Sequence, residues 1–188
     1  RIICSATGDL RASNGLRLQE MVWPPSGAGF DQTEWRWSLE KAILESNATV
    51  VLVKADEAAL HSGRLNAAGY LSVLRELADR LPGVKLVCST MGMDEPNAML
   101  ELFNRQVREH VLQTKGVLLD TADIESWHAG EHALQGDSPV RHSACRGDSG
   151  LPSAENLGRQ GAAMWWLLAR LSGWEGSAAP STAPASAR

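Results

Sequence analysis

Apolar positions along the chain fall into two alternating kinds of run. Four are short and nearly continuous: RIIC (1–4), TVVLVKA (49–55), VKLVCST (84–90) and GVLLDT (116–121). They predict strands covered on both faces, because a half-exposed strand would alternate apolar with polar positions. The longer stretches between and after them carry helical spacing. In TEWRWSLEKAILES (33–46), Trp35, Leu39, Ala42, Ile43 and Ser46 share one face, with Thr33 placed to cap the N-terminus. RLNAAGYLSVLRELADRL (64–81) repeats apolar residues at Leu71, Leu74, Ala78 and Leu81 and stops at Pro82-Gly83. PNAMLELFNRQVREHVLQTKG (96–116) opens on a proline allowed in a first turn and closes on Gly116. ENLGRQGAAMWWLLARLSGW (155–174) carries a further apolar face and ends near Gly173.

Strands alternating with helices predict βαβ units, and so a three-layer α/β/α sandwich around a mainly parallel sheet. The 188 residues suit one domain, expected over 1–174, with an Ala/Ser/Pro-rich tail (175–188) expected to be disordered. In an open parallel sheet, sites form at the carboxyl ends of the strands. Those ends lead here into SATGDL (5–10), KADEAALHSG (54–63), STMGMDEP (89–96) and a polar stretch (120–150) holding three of the five histidines. A connection that long without periodicity is functional or unstructured.

Charge removes one class of partner. The formal net charge is −4 and no basic cluster exceeds two residues, whereas nucleic-acid binding needs a concentrated basic face. The longest apolar run, AAMWWLLARL, is too short for a membrane span and contains Arg170. Cys4, Cys88 and Cys145 make neither a disulfide framework nor a zinc spacing; Cys4 and Cys88 lie in strand-like runs as small hydrophobes. The phosphate-loop patterns GxxxxGK[ST] and GxGxxG are absent, and no cofactor is expected. Asp120, Asp123 and Glu125 crowd one strand end, where capping the following segment is a simpler use than holding a metal. Of the seven tryptophans, Trp165 and Trp166 are expected in the core, while Trp23 and Trp127 lie on loops, where a buried anchor is the simpler use and an exposed indole face that suits a sugar ring is the alternative. The chain opens on a strand at Arg1, which reads as a trimmed or processed chain and leaves its compartment open.

The string CRGDSGLP (145–152) admits three readings. Its Gly-Asp-Ser-Gly resembles the nucleophile loop of trypsin-like proteases, but those need an upstream Ala-Ala-His-Cys-like string and a β-barrel chain, and neither is present. Arg146-Gly147-Asp148 is an integrin-type tripeptide too short to mean anything without a displayed hairpin. The third reading draws on the whole chain. ATVVLVKAD, YLSVLRELADRLPGVKLVCSTM, LFNRQVREHVLQTKGVLLDTADIESW and WWLLARLSGW, in that order, resemble the bacterial SGNH/GDSL-hydrolase-like proteins over about two thirds of the chain. The resemblance implies a flavodoxin-like sandwich and ester hydrolysis by a Ser-Asp-His arrangement, with export slightly favoured.

The resemblance also assigns roles and departures. The loop CSATGDL follows the first strand where the family carries its nucleophile; aligning Gly8 with the family glycine puts Ala6 at the serine position and Ser5 one residue early. A one-residue offset at a strand end turns the side chain to the other face, so Ser5 serves only if the loop bulges. The family's Asp-x-x-His corresponds to Asp148-Ser149-Gly150-Leu151, with leucine in place of the base. His142, with His128 and His132 as alternatives on the same stretch, is the replacement base, since a serine without one is a poor nucleophile. Gly8 and Lys54 line the cleft, and the oxyanion asparagine has no counterpart in KADEAALHSG. Two expectations follow: an esterase acting on acyl or carbohydrate esters, or a non-catalytic domain that binds a glycan or a protein partner at the old cleft.

Overall fold

The computed structural model describes residues 2–4, 9–11, 17–20, 32–147 and 153–174, the first three stretches by their backbone. Six strands form one sheet: β1 (Ile2–Cys4), β2 (Asp9–Arg11), β3 (Arg17–Glu20), β4 (Val50–Val53), β5 (Lys85–Ser89) and β6 (Val117–Leu119). Their order is β2-β3-β1-β4-β5-β6, and every neighbouring pair is parallel except β2 with β3. Setting aside the antiparallel edge strand, this is the doubly wound order 2-1-3-4-5 of flavodoxin-like sheets. The expected sandwich is therefore present. β2 and β3 escaped the sequence pattern because DLR and RLQE are short and half charged; β2 is an edge strand and β3 lies next to it.

Alternation along β4 and β5 divides the interior. Val51, Val53 and Cys88 join a larger core with helices α1 (Gln32–Ser46), α2 (Glu57–His61), α3 (Ala67–Arg80) and α4 (Ala98–Thr114). Leu52, Val87 and Leu119 face the other way, where α6 (Ala154–Leu171) packs with Leu167, Met164 and Ala163 after the short α5 (Thr121–Ser126). At the centre of the larger core, the Tyr70 ring lies 6.2 Å from Trp35 and 5.3 Å from Phe103. Its hydroxyl donates to the Val53 carbonyl at 2.6 Å and accepts from the Ser89 N–H at 3.3 Å, tying β4 to β5. Burial, reinforced by neighbouring Cys88, holds that phenol protonated well above its usual range. Burial also pushes the Cys88 thiol up to about 11.

Four expectations need correction. Helix α1 begins at Gln32, so Thr33 sits inside its first turn and is not its cap. Asparagine side chains cap the next two long helices: Asn66 accepts from the Gly69 N–H, and Asn97, which follows Pro96, accepts from the Met99 and Leu100 N–H groups. Ala78 is exposed because the buried arc of α3 runs through Tyr70, Leu71, Val73, Leu74 and Leu77. Trp165 and Trp166 are not core residues: they are 59% and 58% exposed. The arc of α6 that meets the sheet is Ala163, Met164, Leu167 and Leu171, and the two indoles lie about 100–200° round the helix from Met164.

The polar stretch after β6 is folded through residue 147. Beyond α5 it makes two small ribbons, β7 (Trp127–His128) with β8 (Glu131–His132) and β9 (Leu134–Gln135) with β10 (Ser138–Pro139), then a 3-10 turn over Ser143–Cys145. Strands of two residues are too short to leave a period in sequence. The tail after 174 lies outside the described residues. Among the described residues no helix is long and apolar enough to cross a membrane.

Candidate functional site

Because β4, β5 and β6 are parallel, Lys54, Thr90 and Asp120 emerge together at one edge of the sheet. Asp120 caps α5 through the Asp123 N–H, accepts the Thr90 hydroxyl at 2.7 Å, and takes both Arg108 Nε and Nη2 at 2.8 Å. The capping use expected of it is the one observed. Burial alone would raise its pKa, but the hydrogen bonds from Arg108 and Thr90 outweigh that and hold the carboxyl below its ordinary value. A depressed carboxylate stabilises the fold above its unfolded pKa, near 4, and the contribution is lost as pH falls through the folded value. Asp120→Asn is expected to lower stability at pH 7 by about 1 kcal/mol, a modest figure because both partners are part-exposed and water screens the pair. The gap between variant and parent should narrow in urea titrations as pH falls through the folded value.

Glu125, on α5, is the buried anchor of this edge. Its side chain is 3% exposed and accepts from Arg141 Nε at 2.8 Å, Gln160 Nε2 at 2.6 Å and Asn156 Nδ2 at 3.3 Å. Burial works against the Arg141 charge, but Glu125, Asp94 and Glu57 outweigh it and keep the guanidinium above its usual range. Gly92 is required here: a Cβ on it would fall 1.7 Å from Glu125 Oε2. The segment after Arg141 is fixed by backbone as well, with Arg141 N–H to Met93 O at 2.5 Å and His142 N–H to Glu125 O at 2.8 Å. Ser153 Oγ donates to Ala144 O at 2.7 Å, which fastens the 3-10 turn to the start of α6.

On this frame sit three histidines. The His128 and His142 rings stack 5.0 Å apart, and His132 lies flat on Trp127 at 4.3 Å, leaving that indole 40% exposed. His142 Nδ1 accepts the Ala144 N–H at 3.2 Å, so the neutral ring carries its proton on Nε2, which faces Glu131 at 3.7 Å. His132 Nε2 lies 3.1 Å from Ser126 Oγ, but that hydroxyl donates to Asp123 O and is fully buried, so His132 is the donor and the pair is not a nucleophile with its base. His128 Nε2 lies 2.6 Å from Glu155 Oε1, on the first turn of α6.

Of the residues singled out from sequence, His142 is in this cluster and Lys54 is exposed at the end of β4. Among the described residues no carboxylate pairs with Lys54, and no group of three or more His, Cys, Asp or Glu side chains suits a metal. Ser5, Gly8 and Asp148, with Ala6, Leu151 and Trp23, lie outside the described residues. Sequence reasoning missed the Glu125–Arg141–Asn156–Gln160 group and Glu155. No local pattern marks the group, because its members meet only where α5, the segment at 141 and α6 pack together.

No protein family matches the chain by sequence, and no curated protein does. Solved structures do resemble it. A GDSL-like lipase of Bacteroides thetaiotaomicron superposes with a TM-score of 0.60 at 9% identity, over 85% of this chain and 78% of that one. An acylhydrolase candidate of Bacteroides fragilis gives 0.57 at 11% identity over 85% and 76%. A carbohydrate esterase family 3 protein of Talaromyces cellulolyticus gives 0.50 at 14% over 82% and 77%. At such identities the likeness is one of architecture: this chain has the SGNH/GDSL-hydrolase-like fold of these structures.

Proposed function

We propose that the protein is a serine-type ester hydrolase acting on acyl or carbohydrate esters. Ser5 is the nucleophile, a histidine of the 128–142 cluster is the base, and Asp148 orients it. Gly8 and Lys54 line the cleft, with Lys54 supplying positive charge near the ester. The observation that carries this reading is the rigid mounting of His142 at the carboxyl edge of the sheet. Its N–H is held by Glu125 O, and its neighbour Arg141 is locked to a buried carboxylate. Catalytic groups need this kind of support from surrounding hydrogen bonds. The three similar structures, a lipase, an acylhydrolase candidate and a carbohydrate esterase, favour the same chemistry.

One observation favours a second reading. His142 Nδ1 is already occupied by a backbone N–H, so an orienting carboxylate cannot use that nitrogen unless the ring gives up the bond. A domain that binds a glycan or protein partner without turnover would tolerate that. Fluorophosphonate labelling with peptide mapping separates the two. The hydrolase reading expects adduct on Ser5, turnover of a short acyl ester such as p-nitrophenyl acetate, and loss of both in Ser5→Ala. A folded protein with no adduct, beside a labelled esterase control, supports the binding reading.

A further inference from the structure

We propose that two copies of this chain pair through the outward face of α6, antiparallel about a two-fold axis. The helix spends Ala163, Met164, Leu167 and Leu171 on the sheet. Opposite that arc, where a surface helix is ordinarily polar, it carries Gly158, Ala162, Trp165, Trp166 and Ala169. Both indoles are more than half exposed. Together they leave on the order of 300 Å² of ring open on each copy. That is about two thirds of the apolar area that one side of a standard protein–protein interface buries.

Charge and shape make this face complementary to itself. Glu155 stands in the first turn of α6 and is half exposed; Arg170 stands in the last, exposed, with its guanidinium 5.7 Å above the Trp166 ring. About 22 Å of helix separates them, and the midpoint falls beside Ala162. An antiparallel copy crossing there sets each Arg170 against the Glu155 of the other, whereas a parallel copy would set like charges together. Glu155, Gly158, Ala162, Trp165 and Ala169 alternate in steps of three and four, the spacing of a helix–helix seam. A Cβ at Gly158 or Gly161 would touch nothing within 4 Å, so the surface between the charged end and the indoles is a shallow hollow open to solvent. The same antiparallel crossing lays the indoles of each copy over the hollow of the other, as an isologous contact requires.

Other occupants fit less well. Residues 175–188 carry no apolar side chain larger than alanine or proline, too little to cover two indoles. An anionic lipid surface calls for a basic rim, whereas Glu155 borders this face and the chain is net acidic.

The test is the mass of the full chain by sedimentation velocity, from about 1 to about 100 µM. The mass is expected to rise from 20.3 kDa toward twice that value, and to stay at the lower value in the double variant Trp165→Ala with Trp166→Ala. Gly158→Leu fits the single chain, where the position is open, but fills the hollow; it should keep the parent's urea midpoint and weaken pairing about 10-fold or more. Glu155→Arg and Arg170→Glu should each weaken pairing alone, and an equimolar mixture of the two should pair again, because opposite charges then meet at both ends. A parent that stays monomeric to about 100 µM overturns the dimer. A shift of tryptophan emission on removing 175–188 would then give the face to that segment. A dimer that Gly158→Leu leaves intact overturns the use of this face, and a mixture that does not pair overturns the antiparallel arrangement.

Discussion

Tyr70→Ala is expected to lose about 5 kcal/mol of folding stability, the upper end for truncating a buried aromatic ring. Two effects combine. The ring fills the space between Trp35 and Phe103 and is fully buried, so its removal leaves a cavity that three neighbouring helices cannot easily close. The hydroxyl also satisfies the Val53 carbonyl and the Ser89 N–H, which are stranded without it. Tyr70→Phe isolates the second effect and should cost about 1–3 kcal/mol, the penalty for leaving buried polar groups unpaired. Urea unfolding of both variants checks the division. A loss below about 0.5 kcal/mol for Tyr70→Phe would mean that the hydroxyl does not tie the strands. Because Val53 and Ser89 lead directly into the edge loops, the Phe variant should also expose the Lys54 and Thr90 amides to faster hydrogen exchange.

Glu125→Ala should cost about 3 kcal/mol. Removing one partner of a buried ion pair is worth about 3–5 kcal/mol because the other charge is left uncompensated. The low end applies because Arg141 keeps Asp94, 2.9 Å away, and Asp94 is half exposed. Asn156 and Gln160 lose their shared acceptor as well. Glu125→Gln keeps an acceptor and should lose less. The consequence for the site is larger than the loss of stability suggests. Without its buried tie to Glu125, the 141–147 segment is held on that side by the part-exposed contacts of Arg141 and Arg146 to Asp94, so exchange of the His142 amide should rise along with any loss of Ser5 labelling. If the variant unfolds at the parent's urea midpoint, Glu125 is not the anchor.

These residues also mark how far the sequence reaches. The four apolar runs and four long helices are legible because burial on both faces, or on one arc, is written locally as continuity or as a period of 3.6. The runs at 49–55, 84–90 and 116–121 became β4, β5 and β6 within a residue or two at each end, and their parallel alternation with helices was enough for a three-layer sandwich. The sheet edge where the three histidines gather also follows, since parallel strands present their carboxyl ends together and the histidine-bearing stretch leaves one of them.

The remainder was decided by tertiary contact. Which arc of α6 faces inward depends on where the sheet lies against it, so the apolar pair Trp165–Trp166 turned outward while Asn156 turned in. β2 and β3 carry no apolar run to read, being three and four residues long and half charged, although of the two only β2 lies at the sheet's edge. Glu125 with Arg141, and His128 with Glu155, are 16 and 27 residues apart in the chain and share no local pattern. Apolar burial acts through composition over a few neighbouring residues and so can be read along a line. A charge or an imidazole acts through one directed contact, and only the folded chain fixes which atom receives it.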